Sequence, residues 1–170
     1  MTTNEKIAQK KCCFYASDFH LEMTILPYIN KKMDQEKEIV IITENNLEES
    51  IKILISKINI KNKDKILEID WSNKDIKKIN SNSVVIVNGT KSFIEKINKK
   101  IETVQKNNNS PIELVDCYMF DEIKDKMYEI RNQYDGVINN LQKNAWKNII
   151  NGIYYKNINT KKGRNVWNKH

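Results

Sequence analysis

Short apolar runs alternate with amphipathic stretches along most of the chain. Lys11-Cys12-Cys13-Phe14-Tyr15-Ala16 reads as a strand, closed by the N-cap residues Ser17 and Asp18. Residues 18–36 then read as a helix with Met23, Leu26, Ile29 and Met33 on one face. Pro27 predicts a kink in it, or a fresh helical turn. Glu38 to Thr43 is apolar on both faces, as a buried parallel strand is. Asn45 with Glu48 is close to a capping box, and Leu47, Ile51, Leu54, Ile55 and Ile58 follow at helical spacing. Lys65 to Asp70 predicts a third, half-apolar strand nearer an edge, and Ser72 with Asp75 a short helix carrying Ile76 and Ile79. Ser83 to Asn88 is a β-branched strand. Gly89-Thr90 turns into a helix bearing Ile94, Ile97, Ile101 and Val104. After a loop at Asn107 to Pro111, Ile112 to Cys117 predicts a fifth strand, and Phe120, Ile123, Met127 and Ile130 a helix ending before Gly136.

This alternation predicts an α/β fold: a five-stranded, mainly parallel sheet with helices on both faces, Rossmann-like or RecA-like, plus a basic C-terminal extension. The expected division is a disordered arm at 1–10, an α/β body at 11–142 and a basic aromatic tail at 143–170. Val137, Ile138, Leu141, Ala145, Trp146, Ile149, Ile150, Ile153 and Tyr154 fit one helical face, while Asn151-Gly152 is a hairpin signal. Helix is favoured to Ile150 and the rest stays open.

Charge sharpens that division. The net charge is +7 over 170 residues. Residues 1–142 hold 22 basic and 22 acidic side chains, so the whole excess sits on Lys143, Lys147, Lys156, Lys161, Lys162, Arg164 and Lys169, with no acid among them. Only Arg131 and Arg164 are arginine, the preferred reader of phosphates and base edges. Nucleic-acid contact through Lys143 to Lys169 is therefore expected to be weak and sequence-independent. No run of about 18 apolar residues exists, so no membrane span is expected. The polar start without an apolar core segment, and the small odd set of three cysteines, point to a reduced, cytoplasmic protein.

Candidate chemistry is sparse. The glycines, Gly89, Gly136, Gly152 and Gly163, lie too far apart for a Walker A loop or a dinucleotide fingerprint. Ligands of open parallel sheets bind outside the carboxyl ends of the strands. Those ends carry Ser17 and Asp18; Thr43, Glu44 and Asn45; Asp70 and Trp71; Asn88, Thr90 and Lys91; Asp116, Cys117 and Tyr118. From these, Asp18, Thr43, Glu44, Asn45, Asn88, Thr90, Lys91 and Asp116 are the candidate ligand residues, although the same residue types serve simply as helix caps. Asn88-Gly89-Thr90-Lys91-Ser92 is the most phosphate-like loop, with a glycine, a helix start and a lysine. Trp71 reads as a hydrophobic plug. Cys12 and Cys13 must point to opposite faces of a strand. With only His20 and His170 as histidines, no metal site is expected, and a Cys–His nucleophilic pair could only join Cys12, Cys13 or Cys117 to His20, with Cys117 at the end of the fifth strand. No catalytic residue is assigned, and no cofactor is implied.

The string Cys12-Cys13-Phe14-Tyr15, then Leu26-Pro27-Tyr28-Ile29, then Ile39-Val40-Ile41-Ile42-Thr43 resembles the opening of the methanogen/methylotroph sensory (MEDS) domains. Val85-Ile86-Val87-Asn88-Gly89 and Leu114-Val115-Asp116-Cys117-Tyr118 sit where that family has later strands. Lys11 stands where a histidine is frequent in the family, and the middle from Asn59 to Ser83 is short. The resemblance implies a RecA/KaiC-like fold without a Walker A lysine loop, and a sensory role. The expected function is a non-catalytic regulatory or sensory domain binding a small ligand or a protein partner. The alternatives are a nucleic-acid-associated protein using the tail, and a Mg²⁺-dependent nucleotide or phosphoester enzyme using Asp18, Glu44 and Asp116.

Overall fold

The structure, a computed structural model, describes residues 7–76, 79–108 and 111–138. The expected basic tail, 143–170, lies outside them. Five strands, β1 (Ile7–Tyr15), β2 (Glu38–Thr43), β3 (Ser83–Gly89), β4 (Ile112–Met119) and β5 (Gly136–Ile138), form one sheet in the order β2-β3-β4-β1-β5. Every pairing is parallel. The connections carry α1 (Asp18–Asp34), α2 (Glu48–Lys57), α3 (Lys63–Leu67), α4 (Lys91–Asn108), α5 (Phe120–Ile123) and α6 (Met127–Arg131). The α/β parallel sheet expected from the alternation is present.

Each face of the sheet buries its own core. On one, Leu21, Ile25, Leu26 and Ile29 of α1 and Ile51 and Ile55 of α2 pack over Cys13, Ile41, Ile86 and Val115. On the other, Ile94, Ile97 and Ile101 of α4 pack over Cys12, Val85, Val87 and Leu114. Cys12 and Cys13 thus serve opposite cores, as the two-residue strand period requires. All seven residues of β3 are buried, which accounts for its unbroken β-branched run.

Four expectations are corrected. First, β1 begins at Ile7, so Ile7 to Lys10 belong to the sheet and not to a disordered arm. Second, Lys65 to Asp70 is not a strand. Ile66 and Ile69 are three apart, a turn-forming spacing, and both face the α1 core while Leu67 is exposed. Asn62 is tied to Asn30 and Asp34 at the end of α1, and the Trp71 indole donates to the Ile66 carbonyl at 2.8 Å. These anchors fold the segment as α3. Third, the fifth strand is Gly136–Ile138, beside β1, so Val137 and Ile138 are strand residues, not the start of a tail helix. Fourth, the described residues of 72–79 form no helix. They cross the free edge of β2 instead: the Asn73 amide donates to the Ile41 carbonyl at 2.9 Å, and the Asn73 carbonyl accepts from Thr43 at 2.8 Å. That satisfies an edge that would otherwise template pairing with another chain. α1 runs through Pro27 without ending, and Trp71 is the buried plug expected of it.

Candidate functional site

The carboxyl edge of the sheet is built from caps that satisfy one another. Ser17 accepts from the His20 amide and starts α1, with Asp18 exposed in its first turn. Thr43 and Asn88 are buried partners on neighbouring strands: the Asn88 amide donates to the Thr43 hydroxyl at 3.1 Å, which donates to the Asn45 carbonyl at 2.7 Å. Asn46, not Asn45, accepts from the Glu48 amide ahead of α2. Thr90 caps α4 by accepting from Phe93.

The phosphate-like loop already holds carboxylates. Glu44 accepts from the Thr90 amide at 2.8 Å, and Glu122 from the Lys91 amide at 2.7 Å. The Lys91 ammonium pairs with Glu95 at 2.8 Å. A helix N-terminus attracts anions, and here two side chains of the same chain supply them. Gly89 permits the arrangement, because a Cβ there would lie 2.8 Å from Glu44 Oε1 and 2.7 Å from Phe93. The first amides of α4 and the Lys91 ammonium are thus each matched by a carboxylate of this chain.

Asp116 lies elsewhere. β4 runs two residues past its expected end at Cys117, which moves Asp116 from the strand's end to its interior. It pairs in register with Cys12 and shares the α4 face with Leu114 and Tyr118. It is fully buried. One oxygen, Oδ2, accepts from the Tyr134 hydroxyl at 2.6 Å and from the Asn98 amide at 2.8 Å. The Tyr118 and Tyr134 hydroxyls are 2.6 Å apart. Asp116 Oδ1 and Asn98 Oδ1 are buried without a hydrogen-bond partner among the described residues. Burial disfavours the charged form and pushes the Asp116 carboxyl up to about 6, against the pull of Tyr134, Asn98 and the Lys10 charge. Burial also drives the Tyr118 and Tyr134 hydroxyls well up.

Above this network opens a cleft of about 360 Å³. One wall is a stripe of α4, Lys91, Glu95, Asn98 and Glu102, with Lys99 beside it; these residues recur at helical spacing. Lys10, Tyr118, Ile130, Gln133 and Tyr134 close the rest. The Lys10 ammonium lies 5.0 Å from the Tyr134 ring centroid.

Of the expected ligand residues, only Lys91 lines the cleft; Asp116 does not, but bonds to Asn98 and Tyr134, which do. Asp18, Thr43, Glu44, Asn45, Asn88 and Thr90 remain on the carboxyl edge in the roles described above. Asn98, Tyr134, Lys10 and Lys99 were not expected. Asn98 carried a signal: it stands on the apolar stripe of α4, four after Ile94 and three before Ile101. Tyr134 and Lys10 carried none, since only the sheet order brings the residues before β5 beside β1.

Neither a family model, nor a curated protein, nor a solved structure matches this chain. Among the described residues no cluster of three His, Cys, Asp or Glu side chains is placed to hold a metal, so Asp18, Glu44 and Asp116 do not converge. Cys117 shares a hydrogen bond with Cys13, which with burial raises its thiol far above the usual range. His20 Nδ1 accepts from the Ala16 amide at 2.9 Å. Cys117 and His20 therefore form no nucleophile–base pair. No helix among the described residues is long and apolar enough to cross a membrane.

Proposed function

We propose that this chain is a non-catalytic regulatory domain that binds a small polar ligand in the cleft above Asp116. The observation that carries this reading is a fully buried carboxyl, bonded to Asn98 and Tyr134 of the cleft lining, whose second oxygen has no partner among the described residues. An unpartnered buried polar atom costs about 1–3 kcal/mol, and a ligand that satisfied it would recover much of that. Asn98 Oδ1 offers a second acceptor on the same floor. The bound end of the ligand should therefore donate hydrogen bonds. With Lys91 paired to Glu95, the remaining charges around the cleft are Lys10, Lys99 and Glu102, a net positive set that favours an anionic group at the ligand's other end. Among the described residues no histidine or thiol lines the cleft, which supports binding over chemistry.

A regulatory role follows from where the floor leads. Tyr134 holds Asp116 and stands two residues before β5. Asp135 fastens that approach to β1: its amide donates to the Lys10 carbonyl at 2.7 Å, and its carboxylate accepts from the Lys10 amide at 2.9 Å. A ligand that rearranges Tyr134 acts on the strand from which the basic tail departs. The sensory role implied by the MEDS resemblance is compatible with this arrangement.

The test is ligand-observed NMR on the full chain with a panel of amino acids, nucleoside monophosphates, sugar phosphates and polyamines. The reading expects binding by members that combine hydrogen-bond donors with an anionic group, weakened about tenfold by Asn98→Ala, the loss of one good hydrogen bond. No binder, binding by polyamines alone, or binding indifferent to both Asn98→Ala and Lys99→Ala would overturn it.

A further inference from the structure

The geometry points to the carboxyl edge of the sheet as a docking surface for the chain's own basic segment, 143–170. Two large apolar side chains stand exposed there. Phe19 is 46% and Phe120 40% exposed. They follow the ends of β1 and β4, adjacent strands whose last residues, Tyr15 and Met119, pair in register. α1 packs on one face and α5 on the other, so the two rings flank the edge from either side.

The surroundings are acidic. Asp18, Glu48, Glu49, Asp121 and Glu122 are exposed at the starts of α1, α2 and α5. Glu48 pairs with Lys52 and Glu122 holds the Lys91 amide. Lys91, the cation at the start of α4, is paired with Glu95. The edge offers acids next to apolar rings, and the segment 143–170 offers the complement: seven cations, no acid, and Trp146, Tyr154, Tyr155 and Trp167 among them.

The chain's exit brings the two together. β5 is parallel to β1 with Ile138 opposite Cys13, so the chain leaves the sheet at its carboxyl edge. Neighbouring strands lie about 4.8 Å apart, which puts β4 about 10 Å from β5. Four residues span up to roughly 14 Å when fully extended, a length sufficient for a segment starting at Lys143 to reach Phe19 and Phe120. Tethering on so short a linker gives an effective concentration in the millimolar range, and weak contacts suffice. This docking is independent of the ligand reading, since it uses the carboxyl edge and not the cleft.

The test places a nitroxide on the full chain through Asn157→Cys and reads paramagnetic broadening of backbone amides. The native cysteines Cys12, Cys13 and Cys117 are fully buried, so the label goes to the introduced thiol. Broadening is expected at residues 17–20, 45–49 and 119–122, and not at Lys37 or Asn82 on the opposite edge. It should fall by about half from 0.1 M to 1 M salt, as the Debye length shortens from about 10 Å to about 3 Å, and likewise on Asp18→Lys with Asp121→Lys. Uniform or absent broadening would overturn the inference. So would broadening carried only between molecules in a mixture of labelled and isotope-enriched chains, which would make the occupant a second copy. Duplex DNA binding unchanged by the two charge reversals, with no broadening of the edge, would make the tail a nucleic-acid contact and also overturn it.

Discussion

Replacing Asp116 by asparagine should change how stability depends on pH. The Asp116 carboxyl is raised from 3.8 to about 6, chiefly by burial. Its folded value lies above its unfolded one, so the folded state holds the proton more tightly. Stability is then greatest below the unfolded value and falls as pH rises through about 4 to about 6. A shift of about two units corresponds to roughly 3 kcal/mol. Asparagine keeps an oxygen facing Tyr134 and Asn98 and never ionises. It also adds a buried amide donor at the Oδ1 position, which costs about 1–3 kcal/mol at every pH. The difference in level between the two proteins is therefore less informative than its slope. Thermal unfolding between pH 3.5 and pH 7.5 should show the native protein losing roughly 3 kcal/mol against Asp116→Asn, or about 6–12 °C in relative Tm for a chain of this size. A difference that stays constant over that range would refute the reasoning, because Asp116 would then titrate as an exposed carboxyl does.

Gly89→Ala should destabilise by about 1–3 kcal/mol in urea unfolding, since its Cβ would meet Phe93 at 2.7 Å and Glu44 at 2.8 Å, displacing the carboxylate from α4. Trp71→Ala should cost about 3–5 kcal/mol by the same measurement, because it empties a fully buried site and releases the Ile66 carbonyl. Glu36→Gly should leave stability unchanged or raise it by up to about 1 kcal/mol, as Glu36 holds a φ of 60° in the turn after α1, a region that glycine enters without steric cost.

The sheet was legible because its signal is local. Buried parallel strands read as unbroken Val and Ile runs, and β2, β3 and β4 each lie within one residue of their expected start. The misread segment, Lys65 to Asp70, has apolar residues at a spacing that suits a turn as well as a strand, and what decides between them is Trp71 reaching back to Ile66. β5 was hidden because three residues carry no periodicity. The site was legible only in part. Asp116 stands out as a carboxylate inside Leu114-Val115-Asp116-Cys117-Tyr118, but a strand boundary set two residues short placed it on the rim and not in the core. At the carboxyl edge Ser17 and Thr90 cap helices, as their residue types allow, whereas Asn45 does not and Thr43 and Asn88 bond to each other. That Glu44 and Glu122 would occupy the start of α4 depends on β2, β3 and β4 being neighbours, which no stretch of the sequence states. Tyr134 and Lys10 meet Asp116 through the same long-range order.

Amide chemical-shift mapping tests the account most directly. The full chain, enriched in ¹⁵N, is titrated with the tightest binder found in the panel of amino acids, nucleoside monophosphates and sugar phosphates. The account predicts the largest shifts at 91–102, 116–118 and 130–135, around the cleft over Asp116. Shifts confined to 16–18, 43–46 and 88–90 would place the ligand on the carboxyl edge and contradict it.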